Sequence, residues 1–467
     1  MKKSRSDFAY QAIYRYLARL ADEKQGGLLL KMPSLRQLAN RLGVSISTVQ
    51  RAYSLLEKEG RVYSLAKSGY YSAPLGQDRL VGADCEGDLL QVLQHNAQRP
   101  GMVLLGGDDP TLLHPLESPL LAMERELIRH YPRPQAPGFQ PFGDAELRSA
   151  LAACYTLNAE HCWHADHVYI APDLSGAFKA VLETLGLRGA KVLVESPCAW
   201  TLLHLLQSFD IQVVELPLDQ GGNHDPEGLD DLLQTNHIGL VVLPSGLSPV
   251  RGSVRLPANN QAIATVLNRH KVWVLENDTH SELQFVPDPF RLRHLIDPQR
   301  LVIIGAFDKR LGPEAPYGYL LCQNLEAQWQ RYFLLRAFKM PPVRQRAIAR
   351  LCSNGRLDAY LKVLRETLIM RAQSMTQLLD EHMGGLLRYE VPEGGCGVWV
   401  ESVSVVDMRQ VFDVLLAQRI VVTPGELFSL RGDYGQYLRL SFAIDWSCDP
   451  VIWPTALAEA LKGARHA

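Results

Sequence analysis

The sequence lacks any run of the roughly 18 to 20 apolar residues that a bilayer span requires. Its start, "MKKSRSDFAYQ", turns amphipathic instead of continuing into an apolar export segment. Export, membrane insertion and a membrane partner are therefore not expected. The eight cysteines, at 85, 154, 162, 198, 322, 352, 396 and 448, show no CxxC pairing. A chain of this size needs no disulfide framework, so a reducing cytoplasm is the simplest reading. An internal repeat, a low-complexity tract, a Walker loop, a dinucleotide fingerprint and a Ser-His-Asp order are also absent. The stretch "HCWHADH" holds His161, Cys162, His164 and His167, but at no spacing that converges four ligands on zinc. It reads as a polar loop leading into the strand "VYIA", and no metal is expected.

Net charge is scarce too, at −2 over 467 residues, yet it is unevenly spread. Residues 1–73 hold 13 Lys/Arg against 5 Asp/Glu, a net of +8 that leaves −10 for the remainder. The N-terminal segment is thus the part suited to a polyanion. With 47% hydrophobic residues, the chain exceeds what one core usually holds, and two or three domains are expected.

Within the basic segment, Phe8, Ile13, Tyr16, Leu17 and Leu20 recur at helical spacing and predict one buried helix face, ending near Gly26. Ser34 is placed to cap a short helix carrying Leu35, Leu38 and Leu42, with Gly43 taking the left-handed turn that ends it. Ser45 caps a second helix that buries Val49, Tyr53, Leu55 and Leu56 and runs to Gly60. Ser47, Thr48, Gln50 and Arg51 point outward from its N-terminal half. The alternating "RVYSLAKSGYYSA" predicts a hairpin around Lys67, Ser68 and Gly69. Helix-turn-helix plus hairpin makes a winged helix, whose second helix can enter a major groove while Arg36, Lys67 and the wing meet phosphates. Double-stranded DNA is the expected partner; the alternative is a winged helix used for protein contacts.

Over residues 28–73, "PSLRQLANRLGVS", "TVQRAYSLLEKEG" and "SGYY" closely resemble the GntR-type winged helix. Many relatives carry Arg directly after the Ser of "GVS", where this chain has Ile46.

Residues 74–101 read as a linker with one short helix in "GDLLQVLQH". Beyond it, "HVYIA", "KVLVES", "IQVVELP", "IGLVVLP", "KVWVLEND", "LVIIGAF" and "YGYLLC" alternate with helical stretches. That pattern predicts an α/β fold, a mostly parallel sheet wrapped by helices over 102–345, followed by a smaller α+β lobe over 346–467. Ligands of such sheets sit outside the carboxyl ends of the strands. The collinear "GDAELRSALAACY", "LSGAFKAVLETL", "VLVESP", "LENDTHSEL", "FDKRLGP", "PEGGCGVWVE" and "TPGELFSLRGDYGQYLRLSFA" resemble fold-type I aminotransferases. Joined to the winged helix, the order resembles the MocR-type subfamily of GntR regulators.

That resemblance implies pyridoxal phosphate, which needs a lysine for its aldehyde, an anion cradle, an acid at its pyridine nitrogen and an aromatic platform. Lys309 matches the Schiff-base lysine, with an ordinary exposed loop lysine as the alternative. Ser175, Gly176 and Ala177 match the phosphate-binding helix start. Asn277 falls where the family has the pyridine-facing acid, unless the alignment slips one residue onto Asp278. His280 or Thr279 falls at the family's tyrosine, and Trp200 stands beside Ala199 at the stacking position. Arg439 matches the arginine that grips a substrate carboxylate, against a plain ion pair. Ala306, Asp308, Pro316 and Ser248 replace further cofactor ligands. The resemblance implies a cytoplasmic, dimeric regulator sensing an amino acid or amine. The alternatives are an active aminotransferase with an accessory winged helix, or a regulator that has lost the cofactor.

Overall fold

A computed structural model describes residues 5–22, 31–59, 61–65, 69–72, 89–97, 99, 102–110, 118–130, 139–444, 446 and 452–464. The chain divides into two compact units, Met1–Leu104 with Phe412–Val421, and Leu105–Val411 with Val422–Ala467.

In the first unit, helices α1 (Arg5–Asp22), α2 (Leu35–Leu42) and α3 (Ile46–Lys58) precede a hairpin of β1 (Val62–Leu65) and β2 (Gly69–Ser72). Ser34 Oγ accepts from the Gln37 amide at 3.2 Å, and Ser45 Oγ accepts from the Thr48 amide at 3.2 Å, so each helix begins on a side-chain cap. Gly43, at φ 62°, ends α2 in the left-handed conformation that costs glycine nothing. Ile13, Leu17, Leu38, Val49, Tyr53, Leu56 and Val62 form the core, each large aliphatic contributing about 1.5–3 kcal/mol on full burial. The Tyr53 ring stacks on Tyr70 of the wing at 4.4 Å, and its hydroxyl donates to Pro33 O at 2.6 Å. One side chain thus fastens hairpin and turn together.

Four predicted burials shift. Tyr16 and Leu42 are each 46% exposed, and Leu20 and Leu55 are only half buried. The core-facing stripes are narrower than the sequence reading, and they include the small residues Ala39 and Ala52. Gly26, Gly60, Lys67, Ser68 and most of the linker lie outside the described residues, as does the Phe8 side chain. The linker's predicted helix is α4 (Leu89–Ala97), followed by the short strand β3 (Val103–Leu104).

The second unit is built on a seven-stranded sheet of β4 (Val168–Ala171), β5 (Lys191–Ser196), β6 (Gln212–Pro217), β7 (Ile238–Pro244), β8 (Trp273–Asn277), β9 (Leu301–Ala306) and β10 (Gly318–Leu321). Their spatial order is β4-β10-β9-β8-β7-β5-β6. Only β10 runs antiparallel to its neighbours. Every residue of β4, β9 and β10 is buried, the signature of strands covered on both faces. The helices are α5 (Pro119–His130), α6 (Ala145–Tyr155), α7 (Leu174–Thr184), α8 (Trp200–Gln207), α9 (Pro226–Thr235), α10 (Pro257–His270), α11 (Asp308–Leu311), α12 (Glu326–Arg336), α13 (Pro342–Ser353) and α14 (Arg356–Met383). Phe178 of α7, Leu203 of α8 and Trp329 of α12 pack into one core with Val194 and Leu275 of the sheet.

Helix α14 spaces Leu357, Leu361, Leu364, Leu368, Ala372, Met375 and Leu379 at three- and four-residue steps, so one face stays buried along its 28 residues. Helix α13 runs through position 345, so the expected lobe boundary there falls inside a helix. The smaller lobe carries an antiparallel sheet of β11 (Leu387–Tyr389), β12 (Gly397–Ser402), β15 (Tyr437–Ser441) and β14 (Thr423–Pro424), in that order. Strand β13 (Ile420–Val421) belongs to the first unit and pairs there in parallel with β3.

Candidate functional site

Two regions carry candidate function. In the first unit, Ser45, Ser47, Gln50 and Arg51 are exposed at the start of α3, and Arg36 is exposed at the start of α2. Ser45 Oγ also lies 2.8 Å from Ser47 Oγ and 2.7 Å from Thr48 Oγ1. The capping hydroxyl therefore fixes its two neighbours at the helix end where amides and the helix dipole favour an anion. Gly69 opens β2 at φ 112°. A Cβ there would come 3.9 Å from Lys31 Cε, which places a lysine beside the wing. Sequence reasoning missed Lys31 because it lies between the first two helix signals and belongs to neither; its bridge to Tyr71 brings it there.

In the second unit, Lys309 follows β9, on α11. Its Nζ lies 3.5 Å from Asp108 Oδ2 and donates to the Asp108 carbonyl oxygen. Arg439, on β15, donates from Nη2 to Asp108 Oδ1 at 2.8 Å, from Nη1 to Gly107 O at 3.4 Å and from Nη2 to Pro249 O at 3.4 Å. His280 Nε2 lies 3.3 Å from Asp108 Oδ2. One carboxylate thus meets a lysine, an arginine and a histidine. Burial pushes the Asp108 carboxyl up, but Lys309, Arg439 and His280 outweigh it and hold it well below the ordinary carboxylate range. Burial works against the Lys309 charge, but Asp108 and Asp308 outweigh it and raise the amine above its usual value. The amine is therefore held as a cation near neutral pH, which disfavours nucleophilic attack.

The other predicted residues divide. The Gly176 amide at the start of α7 donates to Asp173 Oδ1 at 2.6 Å, and the Ala177 amide to Asp173 O at 3.1 Å, so an aspartate caps the helix end that holds Ser175. Gly318 allows this arrangement, since a Cβ there would collide with Asp173 O. Asp308 Oδ1 is buried and has no hydrogen-bond partner among the described residues. Asn277 Oδ1 accepts from the Thr279 amide at 3.2 Å and from its hydroxyl at 2.5 Å. Trp200, at the start of α8, packs against the cluster of Val250, Trp399 and Phe428. Arg251 binds the carbonyl oxygens of Asp219 and Gln220.

Asp278 is taken up elsewhere, in a buried network. Its Oδ2 accepts from Tyr155 at 2.5 Å and its Oδ1 from Arg293 Nη2 at 2.8 Å. Arg293 Nε also lies 3.1 Å from Glu276 Oε1, and Ser245 donates to that oxygen at 2.6 Å. Burial raises the Asp278 carboxyl, but the Arg293 guanidinium outweighs it and holds the group far down. Asp278, the residue after β8, shares the Arg293 guanidinium with Glu276 and is engaged there. Sequence reasoning missed Tyr155 and Asp108, whose partners lie more than 100 residues away, and Arg293, which belongs to none of the motifs read. In the "HCWHADH" loop, His161 Nε2 lies 3.1 Å from His294 O, and His164 and His167 bracket a single turn. Among the described residues no three His, Cys, Asp or Glu side chains are gathered to hold a metal, and no helix is long and apolar enough to cross a membrane.

Comparison with known proteins gives two family matches, aminotransferase class I and II over residues 103–445 and bacterial regulatory proteins of the gntR family over residues 9–71. The HTH-type transcriptional regulator YdcR of Escherichia coli (strain K12) is 26% identical over 439 residues, covering 89% of this chain and 91% of that protein. The 2-aminoadipate transaminase of Thermus thermophilus is 27% identical over 362 residues, covering 74% of this chain and 86% of that protein. Among solved structures, the kynurenine aminotransferase of Pyrococcus horikoshii matches with a TM-score of 0.72 at 19% identity, covering 82% of this chain and 96% of that one.

Proposed function

Since this chain belongs to the aminotransferase class I and II family and carries a gntR-family module ahead of that domain, we propose that it is a DNA-binding transcription regulator. In this reading the first unit reads operator DNA and the second senses a small molecule. The carrying observation is the start of α3, where a capped helix end presents Ser47, Gln50 and Arg51 on the basic module. Phosphate contacts from Arg36, Lys31 and the wing set the register, and the exposed α3 side chains read base edges. Two copies acting as a homodimer would read paired half-sites, and a ligand would change affinity by favouring one spacing of the two modules. An operator on the chromosome puts the working molecule in the cytoplasm.

Class I and II aminotransferases depend on pyridoxal phosphate, and the residues here fit that group poorly. The α7 amide that a phosphate would use is held by Asp173. Asp308 Oδ1 needs a donor, which a phosphate dianion does not supply. Asn277 accepts from Thr279 and offers no carboxylate to a pyridinium. These features favour a regulator that has lost the cofactor over a working transaminase. Lys309 and Arg439 keep their cationic character and suit a ligand bearing a carboxylate, such as an amino acid. The test is binding of the full chain to duplex DNA across a salt series. The reading expects affinity to fall log-linearly with salt and to drop in Arg51→Ala; salt-independent or undetectable binding would defeat it.

A further inference from the structure

Lys309, Arg439 and His280 reach one carboxylate from three distant stretches of chain, 201, 331 and 172 residues from Asp108. Nothing in the local sequence of Asp108 calls for that convergence. The Arg439 side chain is 5% exposed, and apart from Asp108 its hydrogen-bond partners among the described residues are the carbonyl oxygens of Gly107 and Pro249. A guanidinium so placed is a carboxylate receptor. The Asp108 side chain, by contrast, keeps 36% of its exposure, so a solute can reach the carboxylate it must replace.

We propose that Asp108 is an internal ligand: the chain's own carboxylate fills the receptor formed by Lys309, Arg439 and His280, and the effector is a carboxylate that binds by displacing it. The proposal deepens the sensing reading above and rests on it. A tethered carboxylate acts at high effective concentration, so a free carboxylate binds with its affinity reduced by the fraction of molecules in which Asp108 has left. Displacement frees the Asp108 side chain, four residues after Leu104, while Leu105 stays buried with its carbonyl accepting from the Ser441 amide at 2.6 Å.

The test uses the full-length protein, succinate as probe, and reductive methylation of lysines with formaldehyde and cyanoborohydride, followed by peptide mass spectrometry. In Asp108→Asn, Lys309 should be methylated at least about tenfold faster, because the carboxylate that holds the amine as a cation is gone. Succinate, measured by calorimetry, should bind that variant at least about tenfold more tightly than the unsubstituted chain. Asp109→Asn is the control for a neighbouring charge and should change neither quantity by more than about threefold. Equal Lys309 rates and equal succinate affinity with and without Asp108 would overturn the proposal. Should Asp108→Asn fail to fold by circular dichroism, the unsubstituted chain decides: Lys309 should react at least about tenfold more slowly than exposed Lys362, and equal rates refute the internal ligand. If both signals appear but succinate leaves duplex affinity unchanged, the sensing reading fails while the internal ligand stands.

Discussion

The two candidate regions are assembled in opposite ways. At the start of α3 everything is local: Ser45 binds Ser47 and Thr48, two and three residues on. Around Asp108 everything is remote, with partners 172 to 331 residues away. A local device survives wherever its short motif survives, and can be carried from protein to protein as a module. A remote device depends on the whole fold holding its strands in register, and one substitution changes what the others can do. Asp108 shows this, since a single carboxylate engages Lys309, Arg439 and His280 together.

The contrast can be broken or sharpened by substitution, beginning with the deepest remote contact. Arg293→Ala leaves Glu276 and Asp278 buried without their cation and should cost about 3–5 kcal/mol in urea unfolding. A loss below about 1 kcal/mol would mean that the network is not what holds β8 to its neighbours. Gly318→Ala forces a Cβ against the Asp173 carbonyl and should cost about 1–3 kcal/mol by the same assay. The local device is worth less: Ser45→Ala should cost about 1 kcal/mol of first-unit stability and weaken duplex binding, read by hydrogen exchange and anisotropy.

The His294 ring offers a pH test of the second unit. Burial, Arg293 and His161 lower it from 6.5 to about 4. The unfolded chain therefore takes up a proton below pH 6.5 that the folded chain refuses until about pH 4. This group's contribution is present above that window and is lost as pH falls through it. His294→Gln should flatten the pH dependence of unfolding there; an unchanged slope would locate the titration elsewhere. The smallest effect is Arg36→Ala, which should reduce the salt slope of duplex binding by about one phosphate contact without changing sequence preference.

The winged helix was legible from sequence because its signals are short-range. Ser34, Gly43 and Ser45 each announce a cap or stop within four residues of where it acts. The sheet was legible because buried strands write themselves as apolar runs such as "LVII". Burial of Tyr16 and Leu42 was over-read, since a periodic pattern does not show how wide a stripe the neighbouring helix covers. The site in the second unit was legible only as a set of addresses. Lys309 and Arg439 could be located by resemblance, but Asp108 carries no motif of its own, and its role appears only once β15 and α11 are brought to it. Asp278 was similarly undecidable until Arg293, fifteen residues on, was seen to claim it.

The most direct test of the account is selection of duplexes from a random pool by the full-length protein. The account predicts enrichment of a motif made of two related half-sites, lost when Ser47, Gln50 and Arg51 are all replaced by alanine. Recovery of no motif, or of the same motif by the substituted protein, would contradict it.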